Sequence, residues 1–151
     1  MTKLRITLVQ SHLYWENPEE NRNHLDALMS KVKETDIFIL PELFSTAFSV
    51  TCQGEAMNDE SMQWMSKLAQ QKQASIVGSL IIVENGKQYN RLIWMNPDGT
   101  YFHYNKRHLF GMMNEGDYFK AGKDRLIIDF KGWKICPLIC YDLRFPVFSR
   151  N

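Results

Sequence analysis

The order of strand-like and helix-like segments constrains the fold of this chain most. Two stretches, 17–32 and 59–69, carry apolar residues at helical spacing. Seven runs are typical of strands: 4–10, 36–40, 74–83, 89–95, 100–105, 126–130 and 133–139. Helices separate the first three runs, whereas turn sequences such as Asn85-Gly86 join later ones. This order predicts an α/β fold with a mixed sheet and helices on an outer face.

A thiol lies where the last apolar run gives way to a polar segment. Residues 135–139 lead to Cys140, and Pro146 suits the first position of a helix because its φ is already helical. The pattern predicts a strand, a sharp turn and a helix, which would expose a nucleophile beside backbone N–H groups such as that of Tyr141. The alternative is a buried cysteine that ends a strand, because free cysteine is among the most buried residue types.

Two other reactive residues have the same placement in the predicted sheet. Glu42 follows the run that ends at residue 40, and Lys106 follows the run that ends at residue 105. Ligand-binding and catalytic groups of open α/β sheets gather at the carboxyl ends of strands. A carboxylate there could take the proton of Cys140, and an ammonium could favour the thiolate and neutralise an oxyanion. Alternatively, Glu42 is a solvated loop carboxylate and Lys106 belongs to an exposed basic run.

Composition limits the class of partner. The net charge of +1 gives no strong field for nucleic acid or a membrane surface, so we expect a small-molecule partner. No apolar run is long enough to span a bilayer. Three cysteines without framework spacing, and no signal-peptide pattern, favour a cytoplasmic protein. No zinc-site spacing is present, so we expect neither a metal nor an organic cofactor.

Three segments together resemble the signature blocks of the nitrilase, or carbon–nitrogen hydrolase, superfamily, and they occur in the same order. The segments are Leu40–Phe44, Tyr104–Phe110 and Cys140–Pro146. The sequence from Cys140 onward is most similar to that of the ω-amidases, especially bacterial 2-oxoglutaramate amidases. The resemblance implies an α-β-β-α sandwich with mixed sheets. It also implies a triad in which Glu42 is the base, Lys106 stabilises the oxyanion and Cys140 is the nucleophile.

The resemblance extends to further positions. Glu115 occupies the place of a second active-site glutamate, with a surface loop acid as the alternative. Phe48 matches an aromatic residue that lines the substrate pocket, while Ala47 departs from the glycine common before it. Arg144 could hold the turn or an anionic substrate, although a structural ion pair with Asp142 or another acid is the favoured interpretation.

The activity implied is a cysteine amidase. It would hydrolyse the side-chain amide of a small 2-oxo acid, such as 2-oxoglutaramate, to the acid and ammonia through a thioester. One alternative is another nitrilase-superfamily hydrolase acting on a nitrile, carbamoyl or other amide substrate. A second is an inactive fragment or interaction module of this fold. Residues 1–151 are expected to be the N-terminal portion of a single domain, incomplete at the C-terminus, and the full-length protein a homodimer.

Overall fold

The computed structural model describes residues 3–150. The strands are β1 Ile6–Leu8, β2 Ile37–Ile39, β3 Ser75–Glu84, β4 Lys87–Met95, β5 Tyr101–Asn105, β6 Ile128–Phe130 and β7 Trp133–Ile135. The α-helices are α1 Pro18–Met29, α2 Glu60–Lys72, α3 Glu115–Tyr118 and α4 Pro146–Ser149. Two 3₁₀ helices span Gly111–Met113 and Cys140–Arg144. Within residues 3–150, no helix is long and apolar enough to cross a membrane.

The main sheet is mixed, as the sequence predicts. Its five strands lie in the order β1-β2-β3-β4-β5. The pairs β1–β2 and β2–β3 are parallel, and the pairs β3–β4 and β4–β5 are antiparallel. Strands β2, β3 and β5 therefore run in the same direction, so the residues that follow β2 and β5 emerge at the same edge of the sheet.

A tight hairpin turn sets the register of the longest ladder. Asn85 and Gly86 have φ angles of 52° and 71°, the left-handed conformation that a two-residue hairpin loop requires. The ladder then pairs Glu84 with Lys87 at the turn and Ile76 with Met95 at the far end.

Different elements pack against the two faces of this sheet. Helix α1 begins where Asn17 accepts a hydrogen bond from the backbone N–H of Glu20, and its residues Leu25 and Met29 are fully buried. Helix α2 joins it in a core cluster against one face. On the opposite face, the two-stranded β6–β7 sheet packs so that Phe130 lies edge-on to Trp94. The site described below lies at the edge of this layered arrangement.

Two expectations from the sequence need correction. Strand β1 is short and its Leu8 side chain is 71% exposed, so it is not the moderately buried strand expected over 4–10. The strand expected over 133–139 ends at Ile135, because Pro137 has no N–H to continue a ladder. Cys140 thus follows an irregular segment and not a strand of the five-stranded sheet.

Candidate active site

The structure brings Glu42 and Lys106 into contact, although 64 positions separate them. Glu42 lies in the turn after β2, and Lys106 directly follows β5. The backbone N–H of Lys106 donates to the carbonyl of Asn90 at 2.9 Å, which fixes where its side chain begins. Its Nζ lies 2.7 Å from Oε1 of Glu42. The shared direction of β2 and β5 explains why the two side chains meet.

Glu115 joins the same cluster from α3. Its side chain is fully buried, so the alternative of a surface loop acid is wrong. Lys106 Nζ lies 3.0 Å from Oε1 and 2.8 Å from Oε2 of Glu115. The backbone N–H of Phe110 donates to Oε2 at 2.6 Å, which orients this carboxylate from the other side. Lys106 therefore lies between two carboxylates.

The protonation of Lys106 follows from these contacts. Burial by itself would lower the pKa of Lys106, but the charges and hydrogen bonds of Glu42 and Glu115 outweigh it and raise the pKa above its usual value. The ammonium therefore stays charged at neutral pH. With both carboxylates ionised, the cluster of Glu42, Lys106 and Glu115 would carry one net negative charge.

Cys140 begins the 3₁₀ helix that follows β7 and has φ of 39°, in the left-handed region. Non-glycine residues are uncommon there, and such backbone geometry clusters at functional sites. Burial and then the negative charge of Glu42 raise the pKa of Cys140, while the positive charge of Lys106 opposes them. Lys106 therefore favours the thiolate, as expected, but burial and the neighbouring carboxylates outweigh its effect and the pKa of the thiol is raised.

Asp142 holds the turn that carries Cys140. Its carboxylate is fully buried and accepts from the Tyr104 hydroxyl at 2.8 Å, the His108 backbone N–H at 2.9 Å and the Ile139 backbone N–H at 3.1 Å. His108 Nδ1 lies 2.8 Å from the same carboxylate. Burial and then the hydrogen bond to Asp142 raise the pKa of Tyr104, so this phenol remains a donor. The cysteine turn is thereby tied to β5 and to the segment after Lys106.

Arg144 lies at the surface beside Cys140. Within residues 3–150 it forms no ion pair, and Asp142 is occupied by the donors named above, so the favoured interpretation of a structural ion pair is wrong. Arg144, Cys140 and Tyr141 line a cleft of about 540 Å³. The ring of Tyr141 packs edge-on against Phe110. The guanidinium is therefore available to a ligand in this cleft.

Glu42 and Cys140 also share a second cleft, of about 290 Å³. Phe48, expected to line the pocket, does not contribute to the wall of either cleft that Cys140 borders. Instead its ring centroid lies 5.7 Å from Lys106 Nζ, a cation–π distance. Ala47 and Phe48 have φ of 59° and 63°, and the left-handed conformation accounts for a glycine being suited to position 47.

Asn90 is a site residue that the sequence interpretation missed. It lies on β4 with 1% of its surface exposed, and its Nδ2 donates to Glu42 Oε1 at 2.8 Å and to Glu115 Oε1 at 3.0 Å. Its position gives a signal, because Asn90 alternates with Leu92 and Trp94 on one face of a strand. A polar residue on that otherwise apolar face marks a buried polar site.

The part of the chain that the structure describes has no group of three or more His, Cys, Asp or Glu side chains suited to a metal ion. The two glutamates of the cluster instead face the ammonium of Lys106. The arrangement offers a thiol, a carboxylate that can accept its proton and a fixed cation nearby, which are the parts of acyl-transfer chemistry.

Curated proteins with similar sequences include amidases. The chain is 40% identical over 152 residues to the ω-amidase YafV of Escherichia coli, covering 100% of the chain and 59% of the relative. It is 30% identical over 155 residues to the 2-oxoglutaramate amidase of Bacillus subtilis, covering 99% of the chain and 60% of that protein. The chain therefore spans about three fifths of the length of these relatives.

Solved structures and a family model point the same way. The fold matches XC1258 from Xanthomonas campestris, described as a CN-hydrolase superfamily protein with an arsenic adduct in the active site, with a TM-score of 0.96 and 42% identity over 100% of this chain and 58% of that one. Nit3 of Saccharomyces cerevisiae, a nitrilase-superfamily member, matches with a TM-score of 0.79 and 27% identity over 97% of this chain and 58% of that one. The carbon-nitrogen hydrolase family model matches residues 5–151. The chain therefore belongs to the carbon-nitrogen hydrolase family.

Proposed function

We propose that this protein is a cysteine-dependent amidase that hydrolyses the side-chain amide of a small 2-oxo acid, such as 2-oxoglutaramate, to the acid and ammonia. The observation that carries the proposal is the contact of Glu42 with Lys106 beside a cleft that Glu42 shares with Cys140. Glu115 completes the charge cluster as a positioning group for Lys106.

In the first half of the reaction, the Cys140 sulfur attacks the amide carbonyl carbon while Glu42 takes the thiol proton. Because the pKa of Cys140 is raised, the thiol needs this base at neutral pH. Lys106 and the backbone N–H of Tyr141 stabilise the oxyanion of the tetrahedral intermediate. Tyr141 is the second residue of its short helix, where an N–H has no partner within the helix. The C–N bond then breaks, Glu42 returns the proton to the leaving ammonia, and a thioester remains.

In the second half, water replaces ammonia. Glu42 takes a proton from the water as its oxygen attacks the thioester carbonyl, and the same donors hold the second oxyanion. The C–S bond breaks, the acid leaves, and the proton returns to the Cys140 sulfur. Splitting the hydrolysis in this way replaces one difficult step with two easier ones. Neither half requires a metal or an organic cofactor.

Two observations support the proposed substrate class. The curated relatives are an ω-amidase and a 2-oxoglutaramate amidase. Arg144 lies in the same cleft as Cys140 without an ion-pair partner among residues 3–150. A guanidinium binds carboxylates with two parallel hydrogen bonds. We therefore assign Arg144 to the carboxylate of the 2-oxo acid, which leaves the amide end free to reach Cys140.

The test is ammonia release from 2-oxoglutaramate by the full-length protein, with mass spectrometry of the trapped thioester. Cys140→Ala should abolish both signals, whereas Cys52→Ala, a matched change at a half-buried cysteine outside the cluster, should leave them unchanged. Unchanged release by Cys140→Ala would refute the mechanism. A panel that includes a nitrile, a carbamoyl compound and a neutral amide separates this substrate from those of other carbon-nitrogen hydrolases.

The setting of the enzyme is part of the proposal. Three free cysteines are typical of a reducing compartment, which supports action in the cytoplasm. The net charge of +1 supports a small-molecule substrate over nucleic acid or a membrane. A homodimer of the full-length protein, which the family resemblance implies, belongs to the same proposal. Sedimentation that shows only monomers at micromolar concentration would remove the dimer.

A further inference from the structure

We infer that the side-chain amide of Asn90 is a positioning group that holds the Glu42 and Glu115 carboxylates in place beside Lys106. The inference rests on the proposed function, in which Glu42 is the base. It concerns a residue on a central position of β4, remote from the signature segments of the sequence.

The contacts of Asn90 converge on one point. Its single Nδ2 group donates to Oε1 of Glu42 and to Oε1 of Glu115, at 2.8 and 3.0 Å. Lys106 Nζ contacts the same two oxygens, at 2.7 and 3.0 Å. Within residues 3–150, the two carboxylates thus share two donors, Asn90 Nδ2 and Lys106 Nζ. Hydrogen bonds to a charged carboxylate favour the charged form.

The orientation of the Asn90 amide is fixed by the same geometry. A flipped amide would place Oδ1 against two carboxylate oxygens, so the donor side must face them. Oδ1 is left buried without a donor among residues 3–150.

Asn90 also fixes Lys106 through the backbone. Its carbonyl accepts the Lys106 N–H at 2.9 Å, so the residue positions the cation through its main chain and both carboxylates through its side chain. The titratable groups that face Glu42 are Lys106 from the end of β5, Glu115 from α3 and Cys140 from the cysteine turn. Asn90 itself is neutral and does not titrate, so its substitution changes hydrogen bonding around Glu42 without removing an existing charge.

The test compares Asn90→Leu with Asn96→Leu in the full-length protein. Asn96 follows the other end of β4, and its side chain also makes several hydrogen bonds, to Ser75, Trp94 and Thr100. Asn96→Leu therefore removes a similar number of bonds from the same strand without reaching the site. The first readout is the free energy of unfolding against pH, which needs no activity.

For Asn90→Leu we expect the unfolding equilibrium constant at pH 7 to rise roughly 10- to 100-fold, as the loss of a hydrogen bond to a charged group implies. This increase should shrink at acidic pH, because a protonated carboxyl group gains less from a hydrogen-bond donor than a carboxylate does. For Asn96→Leu the loss should not depend on pH, because its partners are neutral. Parallel pH curves for the two variants would overturn the inference.

The second readout is the pH dependence of kcat/KM for 2-oxoglutaramate. Without the donor, the carboxylate form of the base is less favoured, so the acidic limb should move to higher pH in Asn90→Leu and stay in place in Asn96→Leu. Asn90→Ser retains a hydroxyl donor and should restore part of the shift. If Asn90→Leu does not fold, the serine variant decides. Displacement of its pH curves for the free energy of unfolding and for kcat/KM supports the inference, and two curves at their wild-type positions overturn it. If the protein shows no activity on 2-oxoglutaramate but Asn90→Leu still loses stability in a pH-dependent way, the proposed substrate is wrong and the inference about Asn90 stands.

Discussion

Replacing Lys106 with methionine should destabilise the protein far more than the loss of an ordinary surface charge. The ammonium is fully buried and lies 2.7 Å from Glu42 and 2.8 Å from Glu115, whose side chains are 15% and 0% exposed. Removing one partner from a buried ion pair costs about 3–5 kcal/mol, because the remaining charge is left uncompensated. Here two carboxylates would be left with the amide of Asn90 as the donor that they share.

Lys134 provides a matched control for this change. It forms an ion pair with Asp129 at 3.0 Å, but the two side chains are 74% and 76% exposed. Exposed pairs contribute about 0–1 kcal/mol. Lys134→Met should therefore alter the free energy of unfolding by less than about 1 kcal/mol. Urea denaturation near neutral pH, followed by the fluorescence of the four tryptophans, measures both variants on one scale.

A double variant tests the electrostatic cause. In the Lys106→Met background, Glu115→Gln removes one of the two buried negative charges and supplies an amide donor. It should recover about 1–3 kcal/mol, the range for satisfying a buried polar group. The reasoning is refuted if Lys106→Met is no more destabilising than Lys134→Met, or if Glu115→Gln lowers the stability of the Lys106→Met protein further.

Three other measurements follow from the structure. Ala47→Gly should raise the free energy of unfolding by up to about 1 kcal/mol in urea denaturation, because Ala47 has φ of 59°; a lower value would mean that this backbone is not strained. The raised pKa values of Cys140 and Lys106 mean that the folded state holds these protons more tightly than the unfolded state. The stability that these protons contribute is therefore complete below the pKa values of the unfolded state and is lost as the pH rises. Urea midpoints should fall from about pH 9 upward, and rising midpoints would contradict this sign. Arg144→Gln should raise KM for 2-oxoglutaramate roughly 3- to 10-fold with little effect on a neutral amide of similar length, and equal effects on both would remove Arg144 from substrate binding.

The sequence predicts the helices and hairpins of this fold better than the extent of its strands. The residues Asn17-Pro18 determine the start of α1 locally, and Asn85-Gly86 determine the turn between β3 and β4 in the same way. The sequence therefore places both features correctly. Strand length depends instead on which neighbour pairs with it. The apolar run up to residue 139 gives no information on its partner, and pairing with the three-residue β6 ends at Ile135.

A similar limit applies to the candidate site. Placement after predicted strands singles out Glu42 and Lys106, because strand direction alone brings these positions to one edge. The role of Asn90 depends on two carboxylates contributed by other elements, 48 and 25 positions away. Its polarity on an apolar face is visible in the sequence, but its partners are determined only by tertiary packing. Pattern reasoning therefore identifies the reactive groups before it identifies the residues that orient them.

The excess of negative charge near Cys140 bears on how an amidase of this kind would control its nucleophile. A resting thiolate would be a partly buried charge beside Glu42 and Glu115, and burial first, then the charge of Glu42, raises the pKa of Cys140 despite the opposing charge of Lys106. In the proposed mechanism the thiol proton moves to Glu42 only as the sulfur attacks. As Glu42 is neutralised by the thiol proton, the one negative charge that it loses appears on the substrate oxygen, where Lys106 can stabilise it. The fixed cation thus interacts most favourably with the transition state rather than with the free thiol, which is the condition for faster chemistry.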